Sequence, residues 1–415
     1  MLSLTQIRAA ADALQGQFRR TELIHSHFFS EQIGLPLYFK CENLQRSGSF
    51  KVRGAFHFMA RQPAQRLAAG VVTASAGNHA QGVALSAARL GVAATVVMPE
   101  NTPLAKMQAT RGYGAEVVLH GTVFDDAQEE ALRLQHTHDL LYVPPFDHPL
   151  IMAGQGTIGL EIIEDLPDVD TLLAPVGGGG LISEVATAIK ALRPTVRVIG
   201  VEAAAAPAAL LSRRQGHIVG LSGAHSLADG IALKRIGEQT FPVIEALVDE
   251  LVTVNEEQIA QAIVALMEKT RLVVEGAGAV GLAALLHAAR PLARGRTVCL
   301  LSGGNIDVQT IAQVVDRGLV AAGRYLKIRI ELNDAPGALG RLALLLGECR
   351  ANIYHVSHDR HRLGIPLGRA EVNLELETRG SEHVREILAA LAGADYKVVA
   401  LDAEIVPGQE PGTGC

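Results

Sequence analysis

The chain has 415 residues, 48% of them apolar and 19% charged, and a formal net charge of −6. That length suits two or three domains with a sizeable core, and the mild acidity gives no reason to expect nucleic acid or an anionic membrane as partner. Tryptophan is absent and aromatic residues make up 4%, so the core is expected to be aliphatic; Cys41, Cys299, Cys349 and Cys415 stand far apart, which argues against a disulfide framework or a zinc knuckle. The opening MLSLTQIRAAADALQG has the pattern of an amphipathic helix and lacks the cationic start and continuous apolar core of a signal peptide. No apolar run reaches membrane-spanning length, so a cytoplasmic protein is expected. From about Gly70 short apolar strands alternate with helical patterns: GVVTAS, then GNHAQGVALSAARLG, then VAATVVMPE, PLAKMQATRGYG and AEVVLHG. The rhythm resumes in DTLLAPVGGGGLISEVATAIKALRP and VRVIGVEA, and closes with RTVCLLSGGN and a helix through VQTIAQVVDRGLVAAG. Alternation at this spacing predicts βαβ units and an α/β fold, and strands this uniformly apolar fit parallel sheets covered on both faces.

After Gly323 the pattern changes. RYLKIRIELND alternates, with Leu326, Ile328 and Ile330 on one face; PGALGRLALLLGECR is a helix with Pro336 near its start. ANIYHVSHDR and RAEVNLELETRG are two further strands, SEHVREILAALAG is a helix with Ser381 as N-cap, and DYKVVALDAEIV is a last strand. The order βαββαβ is the ferredoxin-like split unit. A catalytic region is therefore expected over 1–323, with a small subdomain at about 50–150 inserted in a large one. A second domain is expected over 324–405, and a disordered tail over 406–415.

Four stretches carry candidate chemistry. In ENLQRSGSFKVRGA, Lys51 follows a Ser-Gly-Ser loop and precedes Arg53 and Gly54. It could be a solvated lysine, a phosphate ligand or a Schiff-base lysine. The run Gly177, Gly178, Gly179 and Gly180 follows a strand and opens a helix. Its N–H groups can cradle a phosphate, although a flexible turn would also use glycine. It is not a P-loop, because no Lys-Ser/Thr pair follows. In TASAGNHAQG, Ser75, Gly77, Asn78 and His79 form a polar nest at a helix N-terminus, suited to a carboxylate, with an ordinary cap as the alternative. In LLSGGNID, Ser302 stands at the carboxyl end of a strand, where open α/β sheets gather ligands. Together the four suggest a phosphorylated cofactor and an amino-acid substrate.

These motifs resemble those of fold type II pyridoxal-phosphate enzymes (tryptophan-synthase-β-like), within them the serine/threonine dehydratases, and most closely the threonine ammonia-lyases. The resemblance covers roughly Ile7 to Gly323. The C-terminal segment, with NDAPGAL and ANIYHVSHDR, resembles an ACT domain, a regulatory module that usually binds an amino-acid effector at a domain pair. The resemblance implies that Lys51 holds pyridoxal 5'-phosphate as a Schiff base and later acts as base on Cα–H. It implies that Asn78 bonds the phenolic oxygen, that Gly177 to Gly180 bind the phosphate, and that Ser302 bonds the pyridine nitrogen. It assigns the substrate carboxylate to Ser75, Gly77, Asn78 and His79, largely through backbone donors. The implied reaction is β-elimination and deamination of L-threonine to 2-oxobutanoate and ammonia, with L-serine to pyruvate as a side activity. Alternatives are a 3-hydroxyaspartate or serine dehydratase, a serine racemase, or a non-catalytic amino-acid sensor; a sensor would most often lose Lys51.

Departures are informative. Ala76 stands where the related racemases carry a second serine, and an alanine cannot move protons. Glu202 lacks the nearby Asp that the family's divalent site needs, so no divalent structural metal is expected, while a monovalent ion stays open; Asp229 reads equally well as a turn acid. Glu184 stands where a small residue is usual and is expected in the first turn of its helix, complementing the dipole or weakening cofactor binding. His25 and His27 would share one strand face ahead of any sheet. The open sheet face of the C-terminal domain suggests a homodimer or homotetramer.

Overall fold

The computed structural model of the protein describes residues 2–361 and 364–401. The tail expected at 406–415 and the end of the last expected strand lie outside the described residues. The chain divides into two compact units, Met1–Val308 and Gln309–Cys415. The division falls at the head of helix Val308–Ala321, which the sequence pattern groups with the first unit.

The first unit holds two sheets. The larger runs in the order Leu23–His25, Leu37–Cys41, Thr297–Leu301, Thr171–Pro175, Arg197–Ala203, Glu250–Val254. Its pairings are parallel except at the edge, where Leu23–His25 lies antiparallel to Leu37–Cys41. The smaller sheet, all parallel, runs Glu116–Leu119, Ala94–Met98, Val71–Ala74, Leu141–Tyr142. Strands Val71–Ala74, Thr171–Pro175 and Thr297–Leu301 are buried at every residue, as covering on both faces requires. His25 ends a sheet strand, whereas His27 opens helix His27–Ile33, so the two do not share a strand face. Ser26 causes the change of direction by capping that helix, and the two rings meet edge-on at 4.4 Å.

Each sheet reverses its direction of winding once. In the larger, the chain goes outward from Thr171–Pro175 and returns to place Thr297–Leu301 on the other side of it. In the smaller, it goes outward from Val71–Ala74 and returns at Leu141–Tyr142. Ligands of open α/β sheets bind beyond the carboxyl ends of the strands at such reversals. The glycine run and Ser302 flank the first reversal; Ser75–His79 and Val143–Phe146 flank the second. Helix Pro149–Asp165 packs against helices Lys51–Ala60 and Gly180–Leu192. Glycines allow the approach: a Cβ on Gly154 would lie 2.6 Å from Gly54 Cα, and one on Gly159 2.9 Å from Val185 O.

The second unit has an antiparallel sheet in the order Asn352–Asp359, Arg369–Glu377, Tyr325–Asn333, Val398–Ala400, the order of the split βαββαβ unit. Leu326, Ile328 and Ile330 are buried on one face with Val372, Leu374 and Leu376, under helix residues Leu342, Leu346, Val384 and Ile387. Helix Ser381–Gly393 begins at Ser381 itself, with Gly380 at the cap position, and helix Ala338–Glu348 begins two residues after Pro336.

Candidate active site

The loop before Lys51 is stitched to the loop after Thr297–Leu301. Ser49 pairs with Gly303, the Phe50 N–H donates to Ser302 O at 3.1 Å, and the Gly304 N–H donates to Gly48 O at 2.8 Å. Lys51 opens helix Lys51–Ala60. Arg53, two residues on, fixes that helix from below: its buried guanidinium holds both oxygens of Glu42 at 2.8 and 2.9 Å, and it also reaches Glu161. A planar fork between carboxylates gives the direction that a lysine could not. The Lys51 ammonium donates to Pro145 O at 2.8 Å and lies 5.3 Å from the Phe50 ring centroid. Burial pulls its pKa down to about 8, with only partial opposition from the Glu275 charge.

The glycine run sits where the sequence places it, between strand Thr171–Pro175 and helix Gly180–Leu192. Phe146 packs directly on it; a Cβ on Gly178 would lie 2.4 Å from that ring and one on Gly180 2.9 Å from Phe146 Cβ. Gly178 O is pinned by Thr240 Oγ1 at 2.6 Å and by the Gly237 N–H at 3.1 Å. Among the described residues no backbone carbonyl takes the N–H groups of Gly178, Gly179 or Gly180. Unspent donors at a helix N-terminus fit an anion.

Asn78 opens helix Asn78–Leu90, with Gly77 as its cap residue, and Ser75 Oγ accepts from the Gly77 N–H at 3.2 Å. The Asn78 amide is held at both ends: Nδ2 donates to Glu275 Oε1 at 2.7 Å, and Oδ1 accepts from Asn305 Nδ2 at 2.7 Å. The His79 ring is buried under the smaller sheet, with Nε2 at 3.0 Å from Val143 O. Burial first, and then the Lys51 charge, push its pKa down to about 3, so it is a neutral ring donating from Nε2. Ser302 is 2% exposed, and Ala76 is half-buried.

The structure thus brings Lys51, Ser75, Gly77, Asn78, Gly177 to Gly180 and Ser302 to one junction of the two sheets, while the His79 ring turns into the protein. It adds residues that the sequence analysis missed. Glu275 is 4% exposed; burial, then the negative charge of Asp229, raise its pKa to about 7. Its only sequence signal is a lone acid before a glycine-rich apolar helix. Phe146 and Pro145 had no signal, and Asn305 stood unused inside LLSGGNID. Asp229 pairs with Lys106 at 2.7 Å, joining the two sheet layers. Glu202 spends both oxygens on the N-terminus of helix Ala208–Gln215, at 2.8 Å from the N–H groups of Ala209 and Leu210. Glu184 does not lie in the first turn: it is fully buried beyond it, where its dipole role is lost, and neither oxygen has a partner among the described residues.

These residues fit pyridoxal phosphate: a desolvated amine of lowered pKa, a glycine loop with unspent N–H donors, and an orphaned buried hydroxyl on Ser49 beside them. The profile described as pyridoxal-phosphate dependent enzyme matches residues 14–303. The chain is 59% identical over 401 residues to an L-threonine ammonia-lyase of Geobacter sulfurreducens, covering 97% of this chain and 100% of that protein. It is 47% identical to an L-threonine ammonia-lyase of Thermotoga maritima, covering 96% and 99%. The processed form of threonine deaminase isoform 2 from Solanum lycopersicum superposes with a TM-score of 0.72 at 40% identity, covering 76% of this chain and 92% of that one. With fold, site and relatives in agreement, the chain belongs to the family of pyridoxal-phosphate-dependent enzymes.

Proposed function

We propose that this chain deaminates L-threonine to 2-oxobutanoate and ammonia, and L-serine to pyruvate more slowly. One observation carries the reading: a desolvated Lys51 stands at the junction of both sheet reversals, in a chain similar over 97% of its length to an L-threonine ammonia-lyase. Pyridoxal phosphate, when bound, supplies the electron sink for the carbon from which the proton leaves. The N–H groups of Gly177 to Gly180 would hold its phosphate, the Asn78 amide its phenolic oxygen, and the Ser302 hydroxyl its ring nitrogen. Lys51 would hold its carbonyl carbon, and its neutral amine would serve as the base for the Cα proton of the substrate. Backbone donors of the Ser75–His79 turn orient the substrate carboxylate. Ala76 offers no group that could return a proton on the opposite face, which favours loss of the β-hydroxyl over racemisation.

The second unit is read as an ACT-type module taking an amino-acid effector. Its edge strand Asn352–Asp359 leaves Tyr354 and Val356 exposed, which suits pairing in a homodimer or homotetramer. Scattered reduced cysteines fit a cytoplasmic enzyme. Among the described residues no helix is long and apolar enough to cross a membrane. The test is release of ammonia and 2-oxo acid from threonine, serine and 3-hydroxyaspartate, with and without isoleucine or valine. The expected order is threonine, then serine, with an effector response. Turnover of 3-hydroxyaspartate alone, or no turnover, would overturn the reading.

A further inference from the structure

We propose that Asn305 and Glu275 are positioning residues that fix which way the Asn78 amide faces, so that its remaining N–H is presented to the bound cofactor. The inference rests on the reading of Asn78 given above. A carboxamide has two ends of nearly equal shape, and only its neighbours decide which is the donor. Here the decision starts at a group without ambiguity. The Ser47 backbone carbonyl can only accept, so the end of Asn305 that meets it at 2.8 Å is the nitrogen Nδ2. The second hydrogen of that nitrogen goes to the other neighbour, which must therefore be the oxygen of Asn78, at 2.7 Å. The nitrogen of Asn78 is thereby turned toward Glu275 Oε1, at 2.7 Å. One hydrogen of that nitrogen is used there, and the other remains free for the cofactor.

Glu275 suits the terminal position because it accepts in either protonation state, as carboxylate or through the carbonyl oxygen of the acid. The groups around it are Asp229, Lys106 and Lys51, together with the side-chain amide of Asn78 and the backbone N–H of Asn305, which also donates to its carboxyl. Its own backbone N–H donates to Gly303 O at 3.0 Å. Two glycines from separate motifs leave room for the relay. A Cβ on Gly48 would lie 2.1 Å from Asn305 Oδ1, and one on Gly303 would lie 2.3 Å from Glu275 Oε1. Gly48 also turns at φ +74°, which by itself calls for glycine, whereas Gly303 has no such backbone demand, so its clearance is the one that the relay explains. Segments around residues 47, 78, 275 and 305 are joined in one relay of two amides.

The test measures cofactor affinity by equilibrium dialysis, and the visible absorption band against pH, in four variants. Asn305→Asp keeps the shape but can only accept, so it reverses the amide; affinity is expected to fall about tenfold or more, the scale of one buried unpaired donor or acceptor, and the band to shift. Asn305→Ala releases the amide without reversing it, and about a threefold loss is expected. A role in space-filling alone requires the opposite order, with Ala worse than Asp; that order, or no loss in either, overturns the proposal. Glu275→Gln keeps an accepting carbonyl and should stay within about twofold, whereas Glu275→Met should lose about fivefold. Gln as damaging as Met overturns the proposal too, and this pair decides alone if circular dichroism shows Asn305→Asp unfolded. A parent protein with no visible band would instead remove the cofactor reading, and the inference with it.

Discussion

Burial acts in opposite directions on two titratable groups of the site. It lowers Lys51 to about 8 and raises Glu275 to about 7, because each is disfavoured in its charged form. For Lys51 the consequence is chemical. Only the neutral amine attacks an aldehyde, and a solvated lysine stays largely protonated until about pH 10.4. Capture of pyridoxal phosphate by protein freed of cofactor should therefore quicken from pH 6.5 to about 8, where the Lys51 amine is half neutral, and then level off. Stopped-flow absorbance at a series of pH values measures it; a rate still climbing steeply beyond pH 9 would show that the amine is not desolvated as described. His79 lies outside this balance, since its neutral ring is committed to Val143 O.

At the scale of elements, helix Gly180–Leu192 combines a functional start with an unusual interior. Its first residues close the glycine run, and it packs on helix Pro149–Asp165 closely enough that Gly159 has no room for a side chain. Into that interior it carries Glu184, fully buried and unpartnered among the described residues, with its pKa raised by burial to about 7. A carboxyl raised in the folded state is harmless while it keeps its proton. Its penalty sets in above the unfolded value of 4.5 and is complete once the pH passes the folded value of about 7. Replacing Glu184 by Gln should therefore stabilise the protein at pH 8, by a few kcal/mol at most (a tenfold change in proton affinity is worth ~1.4 kcal/mol), and change little at pH 4.5. Thermal unfolding of both proteins at the two pH values is the measurement; equal effects at both would mean that Glu184 is solvated. The amino-acid pattern shows this helix and its glycine start plainly, but whether an acid at its fifth position faces water or protein is decided by the partner helix.

Across the whole molecule, what the sequence reveals and what it hides divide along the same line. The strand–helix alternation, the glycine run, the Lys51 frame and the alternating strands of the second unit are local patterns, and each stands where those patterns put it. The relay around Asn78 is not local: Glu275 meets Asn78 across 197 positions, and Asn305 meets Ser47 across 258. No spacing rule connects such residues; only the two sheet reversals bring them together. The same separation explains why LLSGGNID shows Ser302 as a strand-end hydroxyl yet leaves Asn305 unassigned, and why Phe146 gives no signal for its place on the glycine run. The proposed chemistry depends above all on Lys51 as the residue that holds pyridoxal phosphate. Borohydride reduction of the cofactor-loaded protein, followed by peptide mass spectrometry, tests that directly. A pyridoxyl-phosphate adduct is expected on the peptide bearing Lys51, and Lys51→Ala should lose both the adduct and the visible band. An adduct on another lysine, or an unchanged band in that variant, would refute the assignment.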